Sequence, residues 1–120
     1  MPQTEVVLFA AEDGSVPLLA WMDQLQDKVR DKCIVRIERL AELGHELRRP
    51  EADLLRDGIH ELRVRYGNVH YRVLYFYHEG RAVLSHGCTK EEIVPPAEVD
   101  RAIANRVRFT QNPARHTHEE

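Results

Sequence analysis

The stretch that decides the fold is LRDGIHELRVRYGNVHYRVLYFYHEGRAVLSHGCTKEEIVPP, residues 55–96. From residue 59 onward, apolar and polar side chains alternate with a period of two, as they do in half-buried β-strands. Gly67-Asn68 and Glu79-Gly80 are turn signals that separate the stretch into three runs. The runs cover 59–66, 69–78 and 81–88, and the sequence predicts that they form an antiparallel meander.

A strand and two helical patterns precede this meander. The β-branched run over 5–10 predicts a first strand. Apolar residues then recur at steps of three and four from Leu18 to Ala41, which predicts two helices or one kinked helix, with Asp27 as the break. Gly44 supplies a C-terminal stop. The following segment, 45–58, is polar and is punctuated by Pro50 and Asp57-Gly58, so we predict an irregular connection.

The chain closes with a helix that Pro95-Pro96 opens. We predict a single domain over 1–112 and a loose polar tail over 113–120. The predicted order is β-α-α-β-β-β-α. This order indicates an α+β fold in which helices pack on one face of a small antiparallel sheet and leave the other face open for a ligand.

Composition limits the class of protein. A chain of 120 residues with 42% hydrophobic content is one globular domain. We see no secretory signal and no apolar run of membrane-spanning length. Cys33 and Cys88 fit a reduced, cytoplasmic protein, and no Cys/His spacing resembles a zinc site. The sequence therefore predicts neither a membrane partner, nor a metal, nor a cofactor.

Charge is unevenly distributed along the chain. The net charge of −3 argues weakly against a nucleic-acid binder. Residues 59–90, however, carry five Lys or Arg against two Asp or Glu, whereas the segments before and after are net acidic. The positive block coincides with the predicted strands, so one surface of the sheet is expected to be able to hold a phosphate backbone.

Several motifs resemble, in order and spacing, the RelE/ParE superfamily of bacterial toxins, with the HigB-like, phage-derived branch as the best match. The motifs are Leu40-Ala41-Glu42-Leu43-Gly44, Asp57-Gly58-Ile59-His60-Glu61-Leu62-Arg63, Tyr71-Arg72-Val73-Leu74-Tyr75 and His86-Gly87-Cys88-Thr89-Lys90. The resemblance implies a toxin of a type II toxin–antitoxin pair. RelE-like and HigB-like members cut mRNA on the ribosome, and a helix-turn-helix antitoxin usually neutralises the HigB-like toxins. Members related to ParE instead inhibit DNA gyrase.

Candidate site residues follow from the chemistry of metal-free RNA cleavage. Attack by the ribose 2′-OH requires a base, an acid and charge on the phosphorane oxygens. The resemblance favours Arg72 and Arg63 as the phosphate clamp, and His86 is a candidate base or acid. Three further residues are candidates for binding RNA: Arg65 and Lys90 by charge, and Tyr75 by stacking on a base.

The chain departs from the usual branch pattern after the last strand. Cys88 stands where an aromatic residue is usual, and Lys90 is followed by Glu91 and Glu92 instead of further lysines. Two alternatives therefore stay open beside the endonuclease. One is a non-catalytic, ParE-like inhibitor of a protein target, and the other is an inactive relative that still binds an antitoxin. Codon preference and oligomeric state are not indicated by the sequence.

Overall fold

The computed structural model describes residues 4–90 and 93–118, with the backbone alone for Lys90. Within these ranges the chain forms five strands, three α-helices and a short 3-10 turn, Gly44–Glu46. The strands are β1 Val6–Leu8, β2 Ala52–Arg56, β3 Ile59–Tyr66, β4 Val69–His78 and β5 Arg81–Lys90. The helices are α1 Pro17–Met22, α2 Asp27–Leu43 and α3 Pro96–Gln111.

All five strands lie in one sheet of order β1-β5-β4-β3-β2. The α+β class and the β3–β4–β5 meander are confirmed, and the helical pattern does divide at Asp27. The predicted antiparallel pairing holds from β2 to β5 but not for β1, which pairs with β5 in parallel. The helices between β1 and the meander provide the long connection that a parallel strand requires.

The prediction of an irregular connection before β3 was also wrong. β2 pairs antiparallel with β3, and Asp57 and Gly58 form the two-residue hairpin turn with φ values of 54° and 80°. Positive φ at both central residues is the property that makes Asp-Gly a hairpin signal. β2 lacks a clear alternation of buried apolar and exposed polar residues, because it is an edge strand that carries Asp53 and Arg56 and whose Leu54 is 56% exposed.

Helices cover both faces of the sheet, contrary to the prediction of one covered face. One core cluster joins α1 and α2 to Leu62, Val73 and Leu84. The second joins α3 to Ile59, Leu74 and Phe76 on the opposite face. α3 covers only part of that face, so the end that carries Arg63 and Arg65 stays open to a cleft.

The described part of the C-terminal tail is not loose. The Ala10 N–H donates to the His116 carbonyl at 2.8 Å, and the His118 N–H donates to the Leu8 carbonyl at 2.9 Å. The His116 ring is 4% exposed and stacks on Phe9, and its Nδ1 donates to the Ala10 carbonyl at 2.7 Å. Residues 116–118 thus protect the outer edge of β1. Of the three α-helices described, none is both long and apolar enough to cross a membrane.

Candidate nucleic-acid interface

Strand register gathers the predicted basic residues on one face of the sheet. Arg63 pairs with Arg72, and Arg65 pairs with His70. Because directly opposed residues in an antiparallel pair point to the same side, these four side chains share a face. Lys90 pairs with His70 through its backbone, and its side chain lies outside the described residues, as do Glu91 and Glu92.

A buried carboxylate holds two of the arginines. Glu61 Oε1 lies 3.2 Å from Arg72 Nε, and Glu61 Oε2 lies 3.7 Å from Arg63 Nε. The Arg72 side chain is 3% exposed, whereas that of Arg63 is 30% exposed. Burial raises the pKa of the Glu61 carboxyl, against the opposing effect of the two guanidiniums. Arg72 is therefore held at the base of the site, and Arg63 extends from it toward solvent.

The basic residues converge on a cleft of about 350 Å³. Four arginines line it together with one imidazole, one acid and two apolar residues. We call this the cationic cleft; its lining residues are Arg36, Pro50, Glu51, Arg63, Val64, Arg65, His70 and Arg72. Guanidinium groups match phosphate oxygens in geometry and stay charged, so the cleft has the chemistry of an anion site.

Arg36 reaches the cationic cleft from α2, on the other side of the sheet edge. Its guanidinium donates to the Arg63 carbonyl, and its Nε lies 3.9 Å from Glu51 Oε2. Arg39 donates two hydrogen bonds to Glu51, at 3.1 and 2.9 Å. These contacts, led by Arg39, hold the pKa of the Glu51 carboxyl below its usual value. The one acid of the cleft is therefore largely neutralised by Arg39.

His86 occupies a different environment from the one predicted for a catalytic acid or base. It is 1% exposed, and its ring nitrogens lie 2.8 Å from Ser85 Oγ and 2.9 Å from Glu98 Oε1. Asn105 completes this group by donating to Ser85 Oγ at 2.9 Å. The side chain shares the face of Arg72 but is sealed by α3, so the structure gives it no access to a substrate.

Tyr75 is the second candidate site residue that the structure places away from the cationic cleft. It lies on the face opposite the arginines, beneath α2, and is 1% exposed. Its ring stacks on His60 at 5.1 Å between centroids and contacts Tyr77 edge to face. Burial raises the pKa of its hydroxyl. Tyr75 is a core residue and is not available to stack on a base.

The buried His86 and the half-buried His60 make the stability of the fold sensitive to acid. Burial lowers the pKa of His86, and burial followed by the neighbouring His45 lowers that of His60 from the ordinary value of 6.5. A lowered pKa in the folded state means that the unfolded chain binds more protons, so stability is full above about pH 6.5 and is lost as the pH falls below it.

We expect urea unfolding to show a lower free energy at pH 5 than at pH 7.5. His60→Phe keeps the ring contact with Tyr75 but cannot take up a proton, so the pH dependence should be shallower in this variant. Equal slopes for the parent and His60→Phe would remove His60 as a cause.

A second cleft of about 370 Å³ lies along β2 and is less suited to a nucleic acid. His45, His60 and Asp53 contribute to its lining. Arg49 also lines it, but this side chain is paired with Asp53 at 2.8 Å. Arg48 adds an exposed positive charge there. Charge and geometry therefore favour the cationic cleft.

Two basic side chains of the cleft, Arg36 and His70, are not among the site residues predicted from the sequence. His70 lies two residues before Arg72 on β4, and side chains two apart on a strand point to the same face of the sheet. The sequence alone therefore predicts that His70 shares the face of Arg72. Arg36 sits three residues after the buried Cys33, at the margin of the buried stripe of α2. Its contact with Arg63 depends on how α2 crosses the sheet, which no local pattern encodes. Among the described residues, no cluster of His, Cys, Asp and Glu is arranged to hold a metal ion.

Comparison with known protein families identifies a match that covers most of the chain. The family described as phage derived protein Gp49-like (DUF891) matches residues 20–107. That span contains α2, the β2–β5 strands and most of α3, and so includes every residue of the cationic cleft. No curated protein matches the chain.

Proposed function

Because this chain belongs to the Gp49-like family of phage-derived, RelE/ParE-like toxins, we propose that it is the toxin of a type II toxin–antitoxin pair and acts on RNA. Its substrate is mRNA on the ribosome, as in the HigB-like branch, and its partner is a co-encoded helix-turn-helix antitoxin. It acts in the cytoplasm, where the ribosome-bound mRNA and the antitoxin are found. The family match supports the toxin, and the cationic cleft supports RNA as the target.

The observation that carries the RNA assignment is the convergence of four arginines on one cleft of an acidic protein. Three of them are held in place before any ligand arrives: Arg72 and Arg63 by Glu61, and Arg36 by the Arg63 carbonyl. Donors fixed in advance lose little conformational freedom on binding and stabilise charge that develops in a transition state.

The cleft suits the cleavage of a phosphodiester. The ribose 2′-oxygen attacks phosphorus, the bond to the 5′-oxygen breaks, and the products are a 2′,3′-cyclic phosphate and a 5′-hydroxyl. Arg63 and Arg72 stabilise the charge on the phosphorane oxygens. His70, the imidazole that lines the cleft, replaces His86 as our candidate to exchange a proton with the reacting oxygens.

The sealed position of His86 also favours a second candidate, a toxin that binds its target without cleaving it. If His70 does not exchange protons, the described part of the cleft offers no other imidazole, and Glu51 is already bound by Arg39. The target is then a protein such as DNA gyrase, as for ParE. Primer extension on mRNA from cells that express the chain separates the candidates, because only the endonuclease creates new 5′ ends.

We expect Arg63→Gln and Arg65→Gln each to weaken growth arrest and mRNA cleavage by about tenfold, because each removes one phosphate contact. The Arg63 side chain is 30% exposed and Arg65 is exposed, so folding should persist in both variants. Arg48→Gln, at an exposed arginine outside the cationic cleft, is the matched control and should behave like the parent. Growth curves and primer extension after induction measure both effects.

Three results would contradict the proposal in different ways. Growth arrest without new 5′ ends would leave the toxin in place and select the non-catalytic candidate. Equal losses in Arg48→Gln and Arg65→Gln would remove the cationic cleft as the site. Absence of arrest in the parent, with a folded protein, would oppose the toxin itself.

A further inference from the structure

The cationic cleft continues across a free edge of the sheet. β2 begins at Ala52, opposite Leu62, and just before it the Glu51 carbonyl accepts a hydrogen bond from the Arg63 N–H at 2.8 Å. Beyond that bond β3 continues to Tyr66 with β4 on one side and, in the described chain, no strand on the other. Arg63 and Arg65 have the same strand parity, so the backbone polar groups of Arg65 also point toward this edge.

A second lobe lies on the far side of the edge, against α2, with a volume of about 310 Å³. We call it the valine lobe; its lining residues are Asp31, Lys32, Val35, Arg36, Val64 and Arg65. Val64 is buried at its floor, whereas Val35 is 56% exposed at its wall. Arg36, Val64 and Arg65 line both the valine lobe and the cationic cleft, so the two are continuous.

We propose that single-stranded RNA crosses this edge, with one phosphate in the cationic cleft and the adjacent base against Val35 and Val64. Arg36 contacts the backbone between the two lobes, and Lys32 binds the next phosphate along. This path rests on the proposed function and adds a binding surface on α2 to it. The RNA is unpaired here, because a base that lies against a side chain is not stacked in a duplex.

The alternation of chemistry along the surface selects this ligand. The surface presents cationic side chains, then an apolar area, then a further cation. This order matches the phosphate, base and next phosphate of a single strand. The cations of the two lobes are Lys32, Arg36, Arg63, Arg65 and Arg72, against the acids Asp31 and Glu51. Glu51 is paired with Arg39, and the buried Glu61 lies against Arg63 and Arg72, so the surface keeps a net positive charge where the strand would pass.

The test measures the affinity of the intact chain for a fluorescent single-stranded oligoribonucleotide of mixed sequence, by anisotropy at several salt concentrations. Lys32→Gln should weaken binding about threefold to tenfold and reduce the salt slope by about 0.7, the value for one phosphate contact on a single strand. Lys28→Gln makes the same charge change on α2 outside both lobes and should leave affinity unchanged.

Val35→Ser should weaken binding about threefold at every salt concentration, because an apolar contact releases no counterions. Ile34→Ser is its control, since Ile34 is 41% exposed on the same helix and lines neither lobe. All four substitutions are at exposed positions, and circular dichroism checks that each variant is folded.

The outcomes separate this path from the proposed function. Equal effects of Lys28→Gln and Lys32→Gln, or normal binding by both Lys32→Gln and Val35→Ser, would overturn the path even if Arg65→Gln binds poorly. Weaker capture of the antitoxin with unchanged RNA affinity would also overturn it and assign the valine lobe to a protein. No RNA binding by the parent chain would overturn both proposals together.

Discussion

Replacing Arg72 by alanine is expected to lower the free energy of unfolding by about 3 kcal/mol. Arg72 is 3% exposed, and its Nε lies 3.2 Å from the buried Glu61 carboxylate. Without it, Glu61 retains the longer contact with Arg63, at 3.7 Å, and a buried charge loses its nearest compensating group among the described residues. Urea unfolding followed by circular dichroism measures the effect, and Arg65→Ala should cost less than about 0.5 kcal/mol in the same assay.

A second substitution tests the reason for this loss. In the Glu61→Gln background the buried carboxylate is absent, so Arg72→Ala should cost markedly less than in the parent chain. If Arg72→Ala is as stable as the parent, or costs the same in both backgrounds, Glu61 does not depend on Arg72. A destabilised Arg72→Ala chain would also lose toxicity through its fold, which is why Arg63 and Arg65 are the better positions for testing function.

The meander and the helices could be predicted because their patterns are local. Alternation and two turn signals define β3, β4 and β5, and Asp27 divides the helical stripe. The covered second face was missed although β4 carries a signal for it. Val73, Leu74, Tyr75 and Phe76 are all buried, and four consecutive apolar residues indicate a strand that is covered on both sides. The parallel pairing of β1 has no such signal, because it depends on the path of the chain through α1 and α2.

The sequence could predict which side chains of the candidate site share a face of the sheet, because side chains alternate along a strand. It could not predict which other elements pack against that face. Parity places Arg63, Arg65 and Arg72 on one face, as the structure shows. Counted from the Glu79-Gly80 turn, parity would set His86 opposite Val73, on the other face. The register shift between Leu74 and Tyr75 instead sets His86 opposite Leu74, on the face of the arginines and beneath α3. Tyr75 has the opposite parity to Arg72, so the sequence alone already separated it from the arginines. Arg36 joins the cleft through tertiary packing, which a single sequence does not specify.

The contact of α1 with β5 makes Gly87 the position where the smallest change should have one of the largest effects. Trp21 lies against Gly87, and its Nε1 donates to Thr89 Oγ1 at 3.1 Å. A Cβ at residue 87 would stand 2.1 Å from Trp21 Cε3 and 2.2 Å from Cδ2, far closer than van der Waals contact allows. The ring must move, and moving it breaks the bond to Thr89 and disturbs the packing of Leu18 and Met22.

We therefore expect Gly87→Ala to lower the free energy of unfolding by about 3 kcal/mol, at the upper end of the usual cost of overpacking. Thermal unfolding provides the measurement, with a fall in Tm of more than about 10 °C for a domain of this size. The double-mutant cycle with Trp21→Ala decides the cause. Once the ring is gone, alanine at residue 87 fits, so its additional cost should fall below about 1 kcal/mol. An undiminished cost in the Trp21→Ala background would mean that strand β5 itself, and not the contact with α1, requires glycine there.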